Sequence, residues 1–193
     1  MRPPFVLTGG PAVGKSSTAG RLARSRPRAA VIDVDDIRHL VVSGGVAPWK
    51  GHEGRHQQHL GVENTCTLAR RFVEHAIDVV IADVVTTETL MLYRRLLPEA
   101  VVVRLHVSPV AARRRAATRV VYLTDEEFEA LHAEDRQHPP PADHHLEVGN
   151  LSIEQQVAAV ESLWHDVCPR SPIPSTDTVP GCRVAVGPTA MAA

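Results

Sequence analysis

Short apolar runs alternate along the chain with longer segments in which apolar residues recur at helical spacing. A nearly continuous apolar run predicts a strand buried on both faces, because such a strand has no polar face to expose to water. The predicted strands are FVLT (5–8), AAVIDVD (29–35), DVVIADVV (78–85), VVVRLHV (101–107) and the more polar ADHHLEV (142–148). Their alternation with helices predicts an α/β protein with a parallel sheet covered on both faces.

Helix signals fill the segments between these runs. Helical spacing of apolar residues is found in GKSSTAGRLARSR (14–26), in residues 66–77, and in TTETLMLYRRLLPEA (86–100), whose helix is expected to stop near its proline. Capping boxes at Thr124–Glu127 and Ser152–Gln155 predict two further helix starts. The apolar face of the last helix consists of Ile153, Val157, Val160, Trp164 and Val167.

Composition predicts one globular domain over residues 1–167. The chain has 193 residues, 44% of them apolar and 22% charged, with a formal net charge of −1. A shift to Pro, Gly, Ser and Thr predicts a tail with little structure over residues 168–193. Near-neutral charge and few aromatic residues argue against a nucleic-acid partner, and no apolar run approaches the roughly 20 residues of a membrane span. Three cysteines without CxxC spacing favour a reducing, cytoplasmic location.

The segment GGPAVGKS satisfies the phosphate-loop (P-loop) pattern G-x-x-x-x-G-K-[ST], with a predicted strand before it and a predicted helix after it. Backbone N–H groups and the helix N-terminus of such a loop bind a polyphosphate. Lys15 would reach the β- and γ-phosphates, and Ser16 would bind Mg²⁺. A dinucleotide loop is excluded because Pro11 stands where its second glycine is required. The predicted nucleotide-binding residues are Gly9, Gly10, Pro11, Ala12, Val13, Gly14, Lys15, Ser16 and Ser17.

Aspartates follow two of the predicted strands. Asp33, Asp35 and Asp36 end the second strand, and Asp83 lies near the end of the third. The carboxyl ends of parallel strands share one sheet edge with the phosphate loop, so these carboxylates are candidates for binding Mg²⁺ or activating an attacking hydroxyl. Helix capping is the alternative role, favoured for Asp36. Whether Asp35 or Asp83 acts as the base stays open.

Two further clusters carry candidate chemistry. Arg115 and Arg119 are spaced i, i+4 on a predicted helix, so they share a face and could hold one polyphosphate, whereas the neighbouring arginines are expected to be solvated. The stretch HEGRH (52–56) matches the H-E-x-x-H zinc-protease motif. We reject that function because Gly51 and Gly54 weaken the helix that the motif requires.

The motif Asp33-x-Asp35-x-x-Arg38, together with the phosphate loop and the five-strand pattern, resembles the small-molecule P-loop kinases over about residues 4–165. This group includes adenylylsulfate, shikimate and gluconate kinases and the chloramphenicol phosphotransferase-like and tunicamycin-resistance-like proteins. The resemblance implies the three-layer P-loop NTPase fold, a five-stranded parallel sheet in the order 2-3-1-4-5, and a small lid over about residues 119–142.

The resemblance also implies roles for individual residues. It makes Asp35 the catalytic base, places Asp33 and Asp83 near Mg²⁺, and makes Arg38 an acceptor-binding residue. Arg115 and Arg119 would stabilise charge on the transferred group, and VGNLS (148–152) would contact adenine. The lid segment is acidic and unlike the arginine-rich lid of adenylate kinase, which disfavours a nucleotide acceptor. Trp49 and His52 lie where similar kinases bind the acceptor.

The implied function is ATP- and Mg²⁺-dependent phosphoryl transfer to a hydroxyl of a small molecule, such as an antibiotic or a related metabolite. Two alternatives remain. The first is a nucleotide-binding switch or ATPase, which would produce no phosphorylated acceptor. The second is a kinase of primary metabolism that acts on adenylylsulfate, a sugar or a nucleoside, and it would be recognised by its acceptance of those substrates.

Overall fold

The structure is a computed structural model that describes residues 2–117 and 123–167. Within these ranges the strands are β1 (Phe5–Thr8), β2 (Ala29–Asp33), β3 (Asp78–Ala82), β4 (Val101–His106) and β5 (His144–Glu147). All neighbouring strands are parallel, in the order β2-β3-β1-β4-β5. The predicted fold class and strand order are therefore confirmed. Arg119, the first residues of the predicted lid and the predicted tail (168–193) lie outside the described residues.

Helices follow each strand and cover both faces of the sheet. No helix in the described ranges is both long and apolar enough to cross a membrane. The capping boxes at Thr124 and Ser152 are present as predicted, and a further box at Thr86 was not predicted. The helices are α1 (Lys15–Arg24), α2 (Val34–Arg38), α3 (Gly51–Glu74), α4 (Thr87–Leu96), α5 (Pro109–Ala116), α6 (Asp125–Gln137) and α7 (Ile153–Val167).

The sheet separates two hydrophobic clusters. Successive residues of β1 point to opposite faces, so Phe5 and Leu7 join one cluster and Val6 joins the other. The first cluster also contains buried residues of α1, α5, α6 and α7, including Trp164, which stacks on Phe5. The second contains buried residues of α2, α3 and α4, including Tyr93. Each face of the sheet therefore holds its own set of helices.

Strand register brings the chemically interesting residues to one edge. Asp33 pairs with Ala82 across β2 and β3, and Ala82 pairs with Leu7 across β3 and β1. The next residue, Asp83, donates its backbone N–H to the Leu7 carbonyl at 3.1 Å. Asp33, Asp83 and the start of the phosphate loop therefore share the carboxyl edge of the sheet, as the sequence pattern predicts.

The strand predicted over residues 29–35 ends at Asp33 instead. The Asp33 side chain accepts a hydrogen bond from the Asp35 N–H at 3.1 Å and is the N-cap of α2. An aspartate in this position satisfies an otherwise unpaired helical N–H group, so the chain turns into a helix two residues earlier than the apolar pattern indicates. Asp35 thus lies in the first turn of α2 rather than at a strand end.

The expectation that Gly51 and Gly54 weaken the helix at HEGRH is wrong, because α3 runs without interruption from Gly51 to Glu74. Gly54 has a packing role that composition does not reveal. A Cβ atom at this position would overlap the backbone carbonyl of Ala47, so the loop before α3 can pack against the helix only because residue 54 lacks a side chain.

This contact predicts opposite effects for two glycine substitutions. Gly54→Ala should lower the free energy of unfolding by about 1–3 kcal/mol, because the new methyl group displaces the loop. Gly20→Ala is the matched control: its Cβ would approach only the Arg24 guanidinium, at 3.5 Å, so it should stabilise α1 by about 0.5–1 kcal/mol. Urea unfolding measures both values. A stabilised Gly54→Ala variant would contradict the packing role.

Candidate active site

The phosphate loop adopts left-handed backbone angles at three positions. Gly9 has a φ of +135°, Gly14 a φ of +98° and Ala12 a φ of +59°. Glycine adopts such angles at little cost, but alanine pays for the contact between its Cβ and the backbone. Gly9 has a second constraint, since a Cβ there would overlap the carbonyl of Leu105 on β4. The loop therefore requires glycine at two positions and holds Ala12 in an unfavourable conformation.

Side-chain donors bind carbonyl groups along this loop. Lys15 Nζ donates to the carbonyls of Gly9 at 2.8 Å and Gly10 at 3.0 Å. Arg115 and Gln156 both donate to the carbonyl of Val13, at 2.9 and 3.2 Å. In a trans peptide unit the C=O and the following N–H point in opposite directions. Binding the carbonyls therefore orients the intervening N–H groups away from these donors, as an anion-binding loop requires.

Arg115 lies among backbone carbonyls rather than in open solvent. Besides Val13, its guanidinium donates to the carbonyls of Val148 and of Leu151, the latter at 3.2 Å. Burial lowers its pKa, but an arginine remains charged in proteins. These contacts join α5, the phosphate loop and the segment after β5. Direct contact of Arg115 with a phosphate, as the sequence predicts, stays a prediction.

Ser16 and Asp33 meet at the carboxyl edge of the sheet. The Ser16 hydroxyl donates to Asp33 Oδ2 at 2.6 Å, while Oδ1 of the same carboxylate caps α2. A hydroxyl and a carboxylate are hard oxygen donors of the kind that Mg²⁺ prefers, so this pair suits the predicted metal. No group of three His, Cys, Asp or Glu side chains in the described ranges is arranged to bind a metal. Mg²⁺ commonly takes its other ligands from water and phosphate.

Asp83 is buried and bonded to Tyr93. Its Oδ2 accepts a hydrogen bond from the Tyr93 hydroxyl at 2.9 Å, and only 8% of the residue is exposed. Burial raises the pKa of Asp83 to about 6, a rise that the Tyr93 hydrogen bond and the Arg38 charge partly oppose. The pKa of Tyr93 is raised well above its usual value by burial and by this carboxylate. Asp83 therefore lies at the predicted edge with one oxygen already engaged.

Asp35 lies on the exposed side of the edge and pairs with Arg38. The two side chains form an ion pair one turn apart on α2, and 57% of the Asp35 side chain is exposed. The stem of Arg38 lies over Gly61 of α3, where a Cβ would come within 2.8 Å of the arginine Cγ. Asp35 is thus open to solvent, and the ion pair holds Arg38 beside it. Acceptor binding by Arg38 stays a prediction.

Hydrogen bonds hold the second half of the segment between α2 and α3 in place. Gln57 of α3 accepts a hydrogen bond from the Val46 N–H at 2.8 Å and donates to the Gly44 carbonyl at 2.9 Å. Trp49 Nε1 donates to Glu127 of α6 at 3.2 Å, so this segment contacts α6. His52 is exposed at the start of α3. Acceptor binding by Trp49 and His52 stays a prediction.

A cavity of about 700 Å³ adjoins the phosphate loop. It opens between the start of α1, Arg115 and the segment after β5, which is where the resemblance predicts adenine contacts from residues 148–152. The described lining includes Gly14, Ser16, Ser17, Arg115, Leu151 and Ile153.

Three residues at this site were missed by sequence reasoning. Tyr93, His132 and Gln156 are all buried, and each contacts a residue of the loop or edge. Gln156 also donates to Thr18 Oγ1 at 2.8 Å. Phe128 and His132 pack together with ring centroids 4.6 Å apart. Their i, i+4 spacing in the sequence could have predicted that the two rings share one face of a helix. A polar residue such as Gln156 on an amphipathic helix carries no comparable signal.

Several of the solved structures that share this fold are small-molecule kinases. A sugar kinase from Janibacter sp. HTCC2649 matches with a TM-score of 0.67 at 12% identity, over 88% of this chain and 97% of its own. Shikimate kinase from Bacteroides thetaiotaomicron matches with a TM-score of 0.64 at 16% identity, over 86% and 98%. APS kinase from Mycobacterium tuberculosis, solved with AMPPNP and APS, matches with a TM-score of 0.60 at 20% identity, over 84% and 97%.

No family model and no curated protein sequence matches the chain. At identities of 12–20% the structural likeness establishes the fold, which is that of the P-loop small-molecule kinases. The chloramphenicol phosphotransferase-like part of the resemblance stays a prediction.

The raised pKa of Asp83 predicts a pH-dependent stability difference. With a pKa of about 6 in the folded state against 3.8 as the ordinary value, wild type loses stability as pH rises through this window. Asp83→Asn keeps an acceptor for Tyr93 without the charge. Its free energy of unfolding, measured by urea titration without Mg²⁺, should exceed that of wild type by about 3 kcal/mol at neutral pH. The difference should shrink toward pH 4; a pH-independent difference would contradict the burial of a charged Asp83.

Proposed function

We propose that the protein is an ATP- and Mg²⁺-dependent phosphotransferase that transfers a phosphoryl group to a hydroxyl of a small molecule. The observation that carries the proposal is the hydrogen bond between Ser16 and Asp33, at 2.6 Å. It joins the phosphate loop to the acidic end of β2, and Asp35 follows two residues later at the start of α2. A nucleotide terminus bound by the loop would therefore face a carboxylate that is open to an acceptor.

The proposed reaction has one proton transfer and one phosphoryl transfer. Asp35 takes the proton from the hydroxyl of the acceptor while the oxygen of that hydroxyl forms a bond to the γ-phosphorus. The bond from that phosphorus to the oxygen bridging the β- and γ-phosphates breaks, and ADP leaves. Lys15, now bound to the Gly9 and Gly10 carbonyls, lies on the loop where it can bind the β- and γ-phosphates instead. Arg38 orients Asp35 through their ion pair.

Mg²⁺ would be held by Ser16 and Asp33, with Asp83 close by on the neighbouring strand. When bound, the ion neutralises charge on the β- and γ-phosphates. The Ser16 hydroxyl and the Asp33 carboxylate, which are bonded to each other in this structure, would supply two oxygen ligands. Tyr93 keeps one oxygen of Asp83 engaged, which limits the directions in which that carboxylate can bind.

The acceptor class is the finer part of the proposal. We infer a neutral or weakly charged hydroxyl compound, with antibiotics as one group to be screened beside sugars, shikimate, nucleosides and adenylylsulfate. The screen measures ADP release and detects the phosphorylated product by mass spectrometry. A switch or simple ATPase would release ADP without any phosphorylated acceptor.

Lys15→Ala should lower phosphoryl transfer by a factor of about 10³ or more, because the loop loses the cation that stabilises charge at the β- and γ-phosphates. The fold should survive, since Lys15 is partly exposed and its hydrogen bonds to Gly9 and Gly10 lie within the phosphate loop. ADP release is measured with the acceptor identified by the screen, and circular dichroism checks the fold. Unchanged turnover would remove Lys15 from the mechanism.

Asp35→Asn should leave nucleotide affinity within about twofold of wild type and reduce transfer by a factor of about 10²–10⁴, the usual contribution of a general base. Asp36→Asn is the matched control, because Asp36 is the exposed neighbour in the same helical turn. Calorimetry gives the nucleotide affinity, and a coupled assay gives the transfer rate. Equal rates in the two variants would exclude Asp35 as the base and leave Asp83 as the candidate.

A further inference from the structure

Ala12 is the least favourable backbone position in the phosphate loop. Its φ of +59° lies in the left-handed region, which costs a residue with a Cβ about 1–2 kcal/mol. Such a conformation persists only when the surrounding contacts determine it. The peptide unit before Ala12 begins with the Pro11 carbonyl. The unit after Ala12 begins with its own carbonyl, and the next unit begins with the Val13 carbonyl. The Pro11 and Val13 carbonyls both have side-chain partners.

His132 of α6 is the partner of Pro11. Its Nε2 lies 3.0 Å from the Pro11 carbonyl oxygen, and the residue is only 4% exposed. Its ring also lies against Gly10, where a Cβ would come within 2.8 Å of two ring atoms. Gly10 therefore leaves the space that His132 occupies. Any side chain at residue 10 would push α6 away from the loop.

The chemistry of the contact fixes the form of the imidazole. A carbonyl oxygen can only accept a hydrogen bond, so Nε2 carries the proton and acts as donor. Burial lowers the pKa of His132, although the Pro11 carbonyl and Asp135 favour the charged form. The neutral ring with its proton on Nε2 satisfies both the burial and the hydrogen bond. His132 thus holds Pro11 without placing a second cation beside Lys15.

The position of His132 is itself fixed by a buried ion pair. Asp135, one turn further along α6, accepts hydrogen bonds from Arg104 of β4 at 3.1 and 2.8 Å. Both side chains are largely buried, with 10% and 13% exposed. Because a planar guanidinium and a carboxylate are joined by two hydrogen bonds, the pair fixes the relative orientation of the two side chains as well as the distance between them. This half of α6 is therefore anchored to the sheet and does not rely on the loop for its place.

Because the peptide unit between Pro11 and Ala12 is trans, a Pro11 carbonyl bound to His132 directs the Ala12 N–H the opposite way. We propose that His132 is a positioning residue that sets this peptide unit, so that the Ala12 N–H is available to the polyphosphate of the nucleotide. On the other side of Ala12, Gln156 and Arg115 set the unit that begins with the Val13 carbonyl. The inference rests on the proposed nucleotide-binding function and adds a link from α6 to the phosphate site.

The test compares ligands that differ in their phosphates. In His132→Phe the ring volume and the packing on Phe128 are kept but the donor is lost. Affinity for ADP, measured by calorimetry, should fall about 10-fold, as expected when one hydrogen bond is lost and the buried Pro11 carbonyl no longer has that donor. Affinity for AMP, measured by ligand-observed NMR, should change less than about twofold, because AMP has only the α-phosphate. His132→Gln supplies an N–H donor and should restore most of the ADP affinity.

His138→Phe is the control, since His138 is an exposed residue at the end of the same helix and should leave both affinities unchanged. Equal loss of ADP and AMP affinity in His132→Phe would indicate a merely structural role and overturn the inference, as would unchanged ADP affinity. If His132→Phe does not fold, His132→Met replaces it as the variant without a donor. Failure of wild type to bind ADP would instead overturn the proposed function.

Discussion

Hydrogen bonds to the carbonyl groups of the phosphate loop are the constraint on which the site depends. The carbonyls of residues 9, 10, 11 and 13 accept hydrogen bonds from side chains of α1, α5, α6 and α7. An anion site built from backbone N–H groups needs such partners, because an unbound carbonyl turned inward would repel the phosphate. The strain at Ala12 is tolerated because the Pro11 carbonyl before it and the Val13 carbonyl further along the loop are both held by side chains. The loop is therefore shaped by four helices, and its own glycines only permit that shape.

Asp33 links this loop to the acceptor side of the site. One oxygen of its carboxylate starts α2 and the other accepts the Ser16 hydroxyl. The helix that carries Asp35 thus begins at the residue that also meets the phosphate loop. Capping and metal binding, which were alternative interpretations of this aspartate, are compatible because they use different oxygens.

The sequence was sufficient to predict the sheet and the edge on which the candidate site lies. It did not predict the contacts that hold the phosphate loop and the start of α3 in place. Apolar runs predicted the parallel sheet, and the resemblance to the P-loop kinases implied its strand order. The edge shared by the phosphate loop, Asp33 and Asp83 was predicted because parallel topology determines which strand ends converge. The start of α3 was missed because glycine was interpreted through helix propensity, whereas Gly54 is determined by a loop contact 7 residues away in the chain. The i, i+4 spacing of Phe128 and His132 indicates that the two rings pack together, but not which loop carbonyl His132 binds. The carbonyl partners of His132 and Gln156 are more than 100 residues away in the chain, and no local pattern encodes such contacts.

The two hydrophobic clusters divide the predicted site residues between the two faces of the sheet. Helices α1, α5, α6 and α7 pack in one cluster, and α2, α3 and α4, which carry Asp35, Arg38 and His52, pack in the other. Under the proposed function, the acceptor would lie beside helices of one cluster and the nucleotide beside helices of the other. A core substitution beneath α2, α3 and α4 would then alter the acceptor pocket without first disturbing the core beneath the phosphate loop.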